Sequence, residues 1–248
     1  MRQTARPLAP QLWCCLQNQN GNFGLRRIIP RPVKDAIRSY LKSAATYRRH
    51  LATAYLLRRP TRPLCLHLGC GQRRVPGHVN IDYNAGAAVD YVCNIGKLPC
   101  PRNSAERIET YHVIEHIPRN EVARFLAHWL DILAPGGVLV TECPDFDRDV
   151  VEYLSGNEER LHSIFGRQRF RGDAHLFGYN AHRLSALLQS VGFENIEEMP
   201  AMDYHSESEP CIRIECRKPP LHCSSASSKK RVLLDRRPEG RLPDVPLS

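Results

Sequence analysis

The first chemical signal in the chain is a glycine turn followed at short range by an acid. Residues 64–83 read LCLHLGCGQRRVPGHVNIDY: a short apolar run breaks at Gly69, Cys70 and Gly71, and a second run ends on Asp82. Glycines at the end of a strand allow positive φ angles and let a ligand lie against bare backbone. A carboxylate at the tip of the neighbouring strand can accept hydrogen bonds from the two hydroxyls of a ribose. The pattern therefore predicts a site for a cofactor that contains a nucleoside.

The same segment departs from two common nucleotide-binding motifs. A dinucleotide-binding turn has a third glycine three residues after the second, where this chain has Arg74. The sequence GxxxxGK followed by Ser or Thr does not occur, which excludes a P-loop. Taken alone, LGCG is also compatible with a tight turn in an ordinary α/β protein.

Strand and helix patterns alternate around this turn. Asn120 begins the segment NEVARFLAHWLDIL, whose apolar residues recur on one helical face, and Pro135-Gly136-Gly137 separates it from a continuous apolar strand. We predict strands at 64–68, 78–82, 89–93, 107–111, 137–143, 193–199 and 211–216, and helices at 120–133, 148–154, 158–165 and 180–191. Such alternation predicts an α/β fold with a Rossmann-like, doubly wound, seven-stranded sheet and a ligand crevice at the carboxyl ends of its strands. A polar loop without helical pattern joins the last two strands, which indicates an antiparallel edge hairpin.

Three regions are expected along the chain. Residues 1–61 form a basic N-terminal arm and a helical stretch over 33–57, residues 62–217 form the main domain, and residues 218–248 form a disordered basic tail. The helical stretch has two interpretations. It either covers the core as a lid, with Leu51 and Tyr55 packed inward, or presents a basic amphipathic surface to an anionic membrane or an acidic partner.

Several segments match one known family in order. LGCG, NID, HVIEH and LAPGGVL occur at spacings typical of the class I S-adenosylmethionine (SAM)-dependent methyltransferases, and the chain resembles their methyltransferase type 11-like group over about residues 62–217. The resemblance implies SAM as cofactor and methyl transfer as activity. It also implies a hydroxyl, amine or carboxylate of a small-molecule or glycan-type acceptor. The alternative is a SAM-binding regulatory or scaffolding protein without turnover.

The resemblance assigns cofactor roles to particular residues. The glycine turn would lie under the methionyl and ribose portion, and Asp82 would bind the ribose diol. Asn94 and Ile95 occupy the place where the family commonly has an acid that reads the adenine amine, so Asn94 is either an uncharged acceptor for that amine or an ordinary turn residue. Tyr111 and His112 would line the floor near the sulfonium.

Other titratable residues would face the methyl acceptor. A general base is needed only when the acceptor carries a proton, and the candidates are His112, Glu115, His116 and Asp145. Glu115 and His116 could instead brace the start of a helix. Downstream, Arg169, Arg171 and His175 could recognise an anionic acceptor, with a solvated loop as the alternative.

Charge is unevenly distributed over the three regions. The formal charge is +12 over residues 1–63, −8 over 64–216 and +5 over 217–248. Because phosphate binding needs a basic stripe near the site, an acidic main domain argues against nucleic acid as a partner. The basic ends are compatible with peripheral contact to an anionic membrane, and no pattern specifies an oligomeric state.

The ten cysteines do not resemble a disulfide framework or a metal site. Cys65, Cys70, Cys93 and Cys143 fall on predicted strands or the glycine turn, where a thiol acts as a small apolar filler. Since no Cys or His group has zinc spacing, we expect no metal, and the thiols favour a reducing, cytoplasmic location. The first 34 residues contain five arginines and no acid, so an organelle transit peptide is the alternative.

Overall fold

The computed structural model describes residues 31–170 and 172–220 of the chain. One seven-stranded sheet forms the centre. Its strands are β1 (Leu64–Leu68), β2 (Val79–Asp82), β3 (Tyr91–Val92), β4 (Ala105–Tyr111), β5 (Leu133–Pro144), β6 (Glu194–Met199) and β7 (Cys211–Arg217). The helices are α1 (Arg31–Arg58), α2 (Arg119–Ile132), α3 (Phe146–Leu154), α4 (Arg160–Phe165) and α5 (Ala181–Val191).

The order of the strands across the sheet is β3-β2-β1-β4-β5-β7-β6. Neighbouring strands from β3 to β5 pair in parallel, and β7 pairs antiparallel with both β5 and β6. The predicted fold, a mostly parallel doubly wound sheet with an antiparallel edge hairpin, is confirmed. The chain changes direction across the sheet between β1 and β4, which is where α/β sheets of this kind bind ligands.

Predicted and observed elements differ mainly at two strands. The strand expected at 89–93 contains only Tyr91 and Val92. The strand expected at 137–143 begins earlier, because Leu133 already pairs with Ala105 before the Pro-Gly-Gly sequence. The glycine and proline residues therefore bend the start of β5 without interrupting its pairing.

The core lies on both faces of the parallel strands. Four of the five residues of β1 are buried, as expected for a strand covered on both sides. Helix α2 contributes Phe125, Leu126 and Trp129 to this core, and the indole N–H of Trp129 donates to the carbonyl of Ile95 at 2.9 Å. That bond ties α2 to the segment that follows β3.

A polar network fixes the connection between β1 and β2. Arg74 donates through one nitrogen to both carboxylate oxygens of Asp90 at 2.7 Å. Asp90 also accepts from the backbone N–H of Asn80, and the side chain of Asn80 contacts buried His67 at 3.0 Å. Arg74, which stands where a dinucleotide site would have glycine, thus holds the β1–β2 connection against the start of β3.

Among the described side chains of helix α1, those that pack against the domain lie in its last turns. Leu57 is fully buried, and the ring of His50 stacks on Tyr91 with centroids 4.5 Å apart. The expectation that Leu51 and Tyr55 pack inward is wrong, since they are 50% and 65% exposed. Leu51 and Tyr55 lie on a different face of the helix from Leu57. None of the described helices is long and apolar enough to cross a membrane, and the expected arm and tail lie almost entirely outside the described residues.

Candidate functional site

The predicted site residues gather at the carboxyl ends of β1, β2, β4 and β5. They fall into two groups, which we call the glycine-turn side and the histidine side. The glycine-turn side comprises residues 69–71 after β1, Asp82 at the end of β2, and Asn94 after β3. The histidine side comprises residues 112–116, His175 and the loop 200–210, which covers them.

The glycine turn is shaped by backbone geometry. Gly69 and Gly71 have φ angles of 71° and 51°, in the left-handed region that favours glycine. The N–H groups of Gly69 and Cys70 both donate to the carbonyl of Ile81, at 2.8 and 3.1 Å. A Cβ atom at position 69 would lie 2.3 Å from a methyl group of Val113, whereas one at position 71 would meet no protein atom within 4 Å. Packing therefore requires glycine at 69, and the backbone of Gly71 borders open space.

Asp82 is fixed beside this turn. One carboxylate oxygen accepts from the N–H of Gly71 and the other from the N–H of Asn84, each at 2.8 Å. A carboxylate oxygen can accept more than one hydrogen bond, so both retain capacity for a ligand. This position fits the ribose-binding role, which stays a prediction.

The residues after β3 are tied to their own backbone. The side-chain oxygen of Asn94 accepts from the N–H of Gly96 at 2.8 Å and thereby caps a short 3-10 turn. The carbonyl of Ile95 accepts from Trp129. The interpretation of Asn94 as a turn residue thus has direct support, and its contact with an adenine amine stays a prediction. Burial raises the pKa of the Cys70 thiol to about 12, so Cys70 is an uncharged filler.

His112 begins the histidine side in a left-handed conformation, with a φ angle of 52°. Its backbone N–H donates to the carbonyl of Glu142 at 2.8 Å. Its ring lies between Glu115, with Nδ1 to Oε1 at 3.5 Å, and Cys211, with Nε2 to Sγ at 3.6 Å. Burial disfavours the charged imidazole, but the thiol and the carboxylate outweigh it and raise the pKa of His112 to about 11. His112 is therefore a cation at neutral pH. The neighbouring Tyr111 donates its hydroxyl to Glu109 at 3.0 Å.

Glu115 is 2% exposed, and neither of its carboxylate oxygens has a hydrogen-bond partner among the described residues. Burial would raise the pKa of Glu115, yet the charge of nearby His112 holds it below the ordinary value. The result is an ionised carboxylate in a dry environment. Such a group is costly unless a cation or a donor compensates for it.

His116 and His175 meet edge to face beside this carboxylate, with ring centroids 4.8 Å apart. Nδ1 of His116 lies 3.0 Å from the carbonyl of Ala174, and Nδ1 of His175 lies 2.6 Å from the carbonyl of Ser163. Burial lowers the pKa of His175, so this imidazole is neutral. The sequence-predicted base and acceptor residues are thus brought together here.

Two other predicted residues, Asp145 and Arg169, already have partners of their own. Asp145 caps α3, because its carboxylate accepts from the N–H of Arg148 at 3.4 Å. Arg169 forms a forked pair with Asp173, at 2.9 and 3.2 Å, so its charge is already balanced. Their roles as base and anion receptor stay predictions. Arg171 lies outside the described residues.

The loop 200–210 supplies residues that the sequence did not single out. Asp203 forms an ion pair with Arg73, which follows the glycine turn, and accepts from Nδ1 of His205 at 2.5 Å. The ring of His205 lies 3.9 Å from that of His112. Fully buried Glu142 anchors the loop by accepting from the N–H groups of residues 202 and 203. The signal available in advance was the density of titratable residues in DYHSESEPC, which a simple hairpin connection does not require.

The glycine-turn side offers bare backbone and a carboxylate with spare acceptor capacity, and the histidine side offers buried charge and imidazoles. A family model described as "Methyltransferase domain" matches residues 40–198. A curated protein of Mycolicibacterium smegmatis, described as a probable S-adenosylmethionine-dependent methyltransferase, is 28% identical over 101 residues. That match covers 41% of this chain and 33% of the relative, so the chain spans about a third of the relative's length.

Solved structures of methyltransferases also resemble the chain. A SAM-dependent methyltransferase from Methanosarcina mazei matches with a TM-score of 0.47 and 14% identity, over 66% of this chain and 95% of that one. The Burkholderia thailandensis 1,6-didemethyltoxoflavin-N1-methyltransferase, solved with 1,6-didemethyltoxoflavin and S-adenosylhomocysteine, matches with a TM-score of 0.43 and 14% identity, over 87% and 93%.

Proposed function

Because the chain belongs to the class I SAM-dependent methyltransferases, we propose that it transfers a methyl group from SAM to a small-molecule or glycan-type acceptor. The observation that carries this proposal is the joint geometry of Gly71 and Asp82. The backbone of Gly71 borders open space, and its N–H holds a carboxylate whose oxygens can still accept. A nucleoside with two vicinal hydroxyls fits that combination.

Bound SAM would supply an activated methyl group on a sulfonium, whose carbon–sulfur bonding pair stays on sulfur as the methyl leaves. The protein's task is then to align the acceptor and to exclude water. A lone pair of the acceptor forms the new bond, and any proton that the acceptor carries must go to a base. Since His112 is already protonated at neutral pH, it acts as a cation there. Ionised Glu115 and the neutral imidazole of His175 are proton acceptors that this side offers.

A SAM-binding protein without turnover is the second candidate. The place where related enzymes commonly have an adenine-reading acid holds Asn94, whose oxygen already caps a turn. Weaker cofactor binding would suit a regulatory or scaffolding role. The loop 200–210, with its buried anchor at Glu142, instead supports an enclosed reaction site and favours the enzyme.

The remaining aspects of the proposal concern the chain and its surroundings. Residues 62–217 would form the catalytic domain, with α1 as an N-terminal extension packed on the β3 edge. The seven described cysteines are free thiols, which supports a reducing cytoplasmic location. The exposed face of α1 with its basic residues supports peripheral contact with an anionic membrane.

Isothermal titration of the full chain with SAM and with S-adenosylhomocysteine tests cofactor binding, and we expect saturable binding of both. Incubation with methyl-labelled SAM and a panel of phenols, sugars, amines and carboxylic acids then tests turnover. Transfer of the label to a panel member supports the enzyme. Binding without transfer to any of these classes supports the non-catalytic candidate, and no binding at millimolar ligand contradicts both.

A further inference from the structure

Three side chains on the histidine side form a compact set of donor atoms. The carboxylate of Glu115 and the imidazoles of His116 and His175 each place one donor atom within 4.8 Å of the other two. Nε2 of His116 is 4.0 Å from Oε1 of Glu115. Glu115 and His116 follow β4 in a short 3-10 turn, and His175 precedes α5.

The hydrogen bonds of the two imidazoles determine which nitrogen is left for a ligand. Nδ1 of His116 faces the carbonyl of Ala174, and Nδ1 of His175 faces the carbonyl of Ser163. A carbonyl only accepts hydrogen bonds, so Nδ1 carries the proton in both rings. Nε2 then has a free lone pair, and an N–H bonded to a backbone carbonyl is the usual support of a metal-binding histidine.

Glu115 gives independent support, because it is buried and neither of its carboxylate oxygens has a hydrogen-bond partner within the described structure. Its nearest charged neighbour is Nδ1 of His112, which forms an ion pair with Oε1 at 3.5 Å, longer than an ordinary hydrogen bond. Buried polar atoms in native proteins are nearly always hydrogen-bonded, so a carboxylate with unused acceptor capacity beside two available imidazole lone pairs is suited to bind a cation.

We propose that Glu115, His116 and His175 bind a divalent transition-metal ion through two imidazole nitrogens and one carboxylate. This donor set suits Fe²⁺, Mn²⁺, Co²⁺ or Zn²⁺ and leaves coordination positions open for further ligands. The expectation of no metal depended on linear spacing. His175 stands 59 residues after His116, and only the fold brings it to the Glu-His pair.

Two neighbouring sets of donors are weaker candidates. One contains His112, Asp203 and His205, and the other contains His112, Glu209 and Cys211. Asp203 is already paired with Arg73 and with His205. Cys211 contacts Nε2 of His112. These atoms have hydrogen-bond partners, whereas the oxygens of Glu115 accept no hydrogen bond from a described residue.

If the chain transfers methyl groups as proposed, the ion would also determine which class of acceptor it methylates. With three ligands from the protein, an octahedral ion has room for two oxygens of one acceptor. We infer a hydroxyl acceptor with a second oxygen beside it, as in a vicinal diol or a catechol. Coordination lowers the pKa of a bound hydroxyl. The new carbon–oxygen bond then forms from an oxygen lone pair, and the hydroxyl proton leaves to solvent, because Glu115, His116 and His175 serve as ligands of the ion.

The site is tested by titrating the metal-stripped full chain with Co²⁺. Binding is monitored by calorimetry and by visible absorption. We expect one Co²⁺ per chain, without the thiolate-to-cobalt charge-transfer band that a cysteine ligand produces. Glu115→Gln, His116→Gln and His175→Gln should each weaken binding by about tenfold to a hundredfold or more. Exposed His182→Gln and Cys211→Ser are the matched controls and should leave binding unchanged.

The proposal is wrong if wild type does not bind Co²⁺ saturably, if the three variants bind as wild type does, or if Cys211→Ser removes binding. Near-ultraviolet circular dichroism checks that each variant is folded. Should all three unfold, the wild-type chain with ¹⁵N-labelled histidines decides. Substoichiometric Mn²⁺ must broaden the signals of His116 and His175 while sparing His182.

SAM calorimetry with and without a chelator separates this proposal from the proposed function. SAM binding to a chain that binds no Co²⁺ would leave the methyltransferase proposal standing and remove the metal. Co²⁺ binding to a chain that does not bind SAM would do the reverse. Preferential labelling of catechols or diols, lost after chelation, is the result expected when both hold.

Discussion

The glycine-turn side and the histidine side lie at the same edge of one sheet but are built by different means. Backbone conformation and short-range hydrogen bonds form the first, within the thirteen residues from Gly69 to Ile81 and the adjoining Asp82. Side chains from the turn after β4, the segment before α5, and the loop 200–210 form the second. The first side is largely satisfied by its own hydrogen bonds, while the second contains a buried carboxylate, that of Glu115, without a hydrogen-bond partner among the described residues. In the proposed function, the first side binds the cofactor and the second faces the acceptor.

The strongest test of this contrast replaces Gly71 by alanine. The protein leaves space at that position, so only a bound ligand can clash with the added methyl group. We expect SAM affinity to fall by about 3 kcal/mol, the upper range for overpacking. The measurement is calorimetry with SAM.

Gly77→Ala is the matched control, since Gly77 also has a positive φ angle, 80°, and no neighbour within 4 Å of an added Cβ atom. Both variants should lose a similar stability, about 1–2 kcal/mol, from the left-handed backbone. Equal SAM affinities in the two variants would show that no ligand passes Gly71.

The second prediction concerns Asp82. Its replacement by alanine removes an acceptor for the ribose and releases the N–H of Gly71. We expect SAM binding to weaken by about 1.5–3 kcal/mol, the range for hydrogen bonds to a charged group. Asp82→Asn keeps the shape and one acceptor, so it should bind SAM with intermediate affinity. Wild-type affinity in Asp82→Ala, with the fold intact, would reduce Asp82 to a turn residue.

The third prediction concerns Asp149, a buried carboxylate that is connected to His175 through Ser163. Burial raises the pKa of Asp149 to about 6, although the hydroxyl of Ser163 donates a hydrogen bond to its carboxylate. The carbonyl of the same Ser163 contacts Nδ1 of His175. Because this folded-state pKa exceeds the unfolded value, the folded chain binds the proton more tightly. Asp149 should therefore stabilise the fold more as the pH falls from 7 to 4, by about 2 kcal/mol.

Urea unfolding of wild type and Asp149→Asn at pH 4, 5.5 and 7 measures how much Asp149 contributes to the pH dependence of the free energy of unfolding. The substitution should remove about 2 kcal/mol of pH dependence, and the variant should equal or exceed wild type at pH 7. Asp147→Asn, two residues away, is the control. Hydrogen bonds from Asn180 and Arg183 lower the pKa of Asp147, so its contribution is lost only below this pH window. An unchanged pH slope in Asp149→Asn would contradict the assignment.

The smallest effect is expected at Asn94. An aspartate can still cap the 3-10 turn and would strengthen a hydrogen bond from an adenine amine, so Asn94→Asp should tighten SAM binding by about 1 kcal/mol. Asn84→Asp adds the same charge near Asp82 and controls for a general attraction. Equal effects in both variants would remove Asn94 from the site.

The contrast between the two sides also explains how far the sequence could predict the structure. The strands, the glycine turn and the acid after β2 follow from local patterns, because glycine, apolar alternation and chain order determine them. The pairing of His175 with Glu115, and of Cys211 with His112, depends on contacts across 60 and 99 residues. Local patterns contain no information about such contacts.

Two expectations show where sequence patterns are insufficient. Leu51 and Tyr55 recur at helical spacing but lie on a face that the described residues do not cover. The polarity of the loop 200–210 indicates a simple hairpin connection, whereas its backbone is hydrogen-bonded to Glu142 and its Asp203 is paired with Arg73. In both places the periodicity or polarity is real, but a local pattern does not identify the neighbouring residue that determines its role.

The close packing of Gly69 and Val113 has a consequence for changing the acceptor selectivity of the proposed methyltransferase. The valine that occupies the space beside the glycine turn lies one residue after His112 and two before Glu115. Substitutions that reshape residues 112–116 for a new acceptor would therefore displace the turn that is proposed to bind the cofactor. The loop 200–210 touches the histidine side without touching Gly69 in this way. Directed evolution toward new acceptors should accordingly accumulate tolerated changes in that loop first.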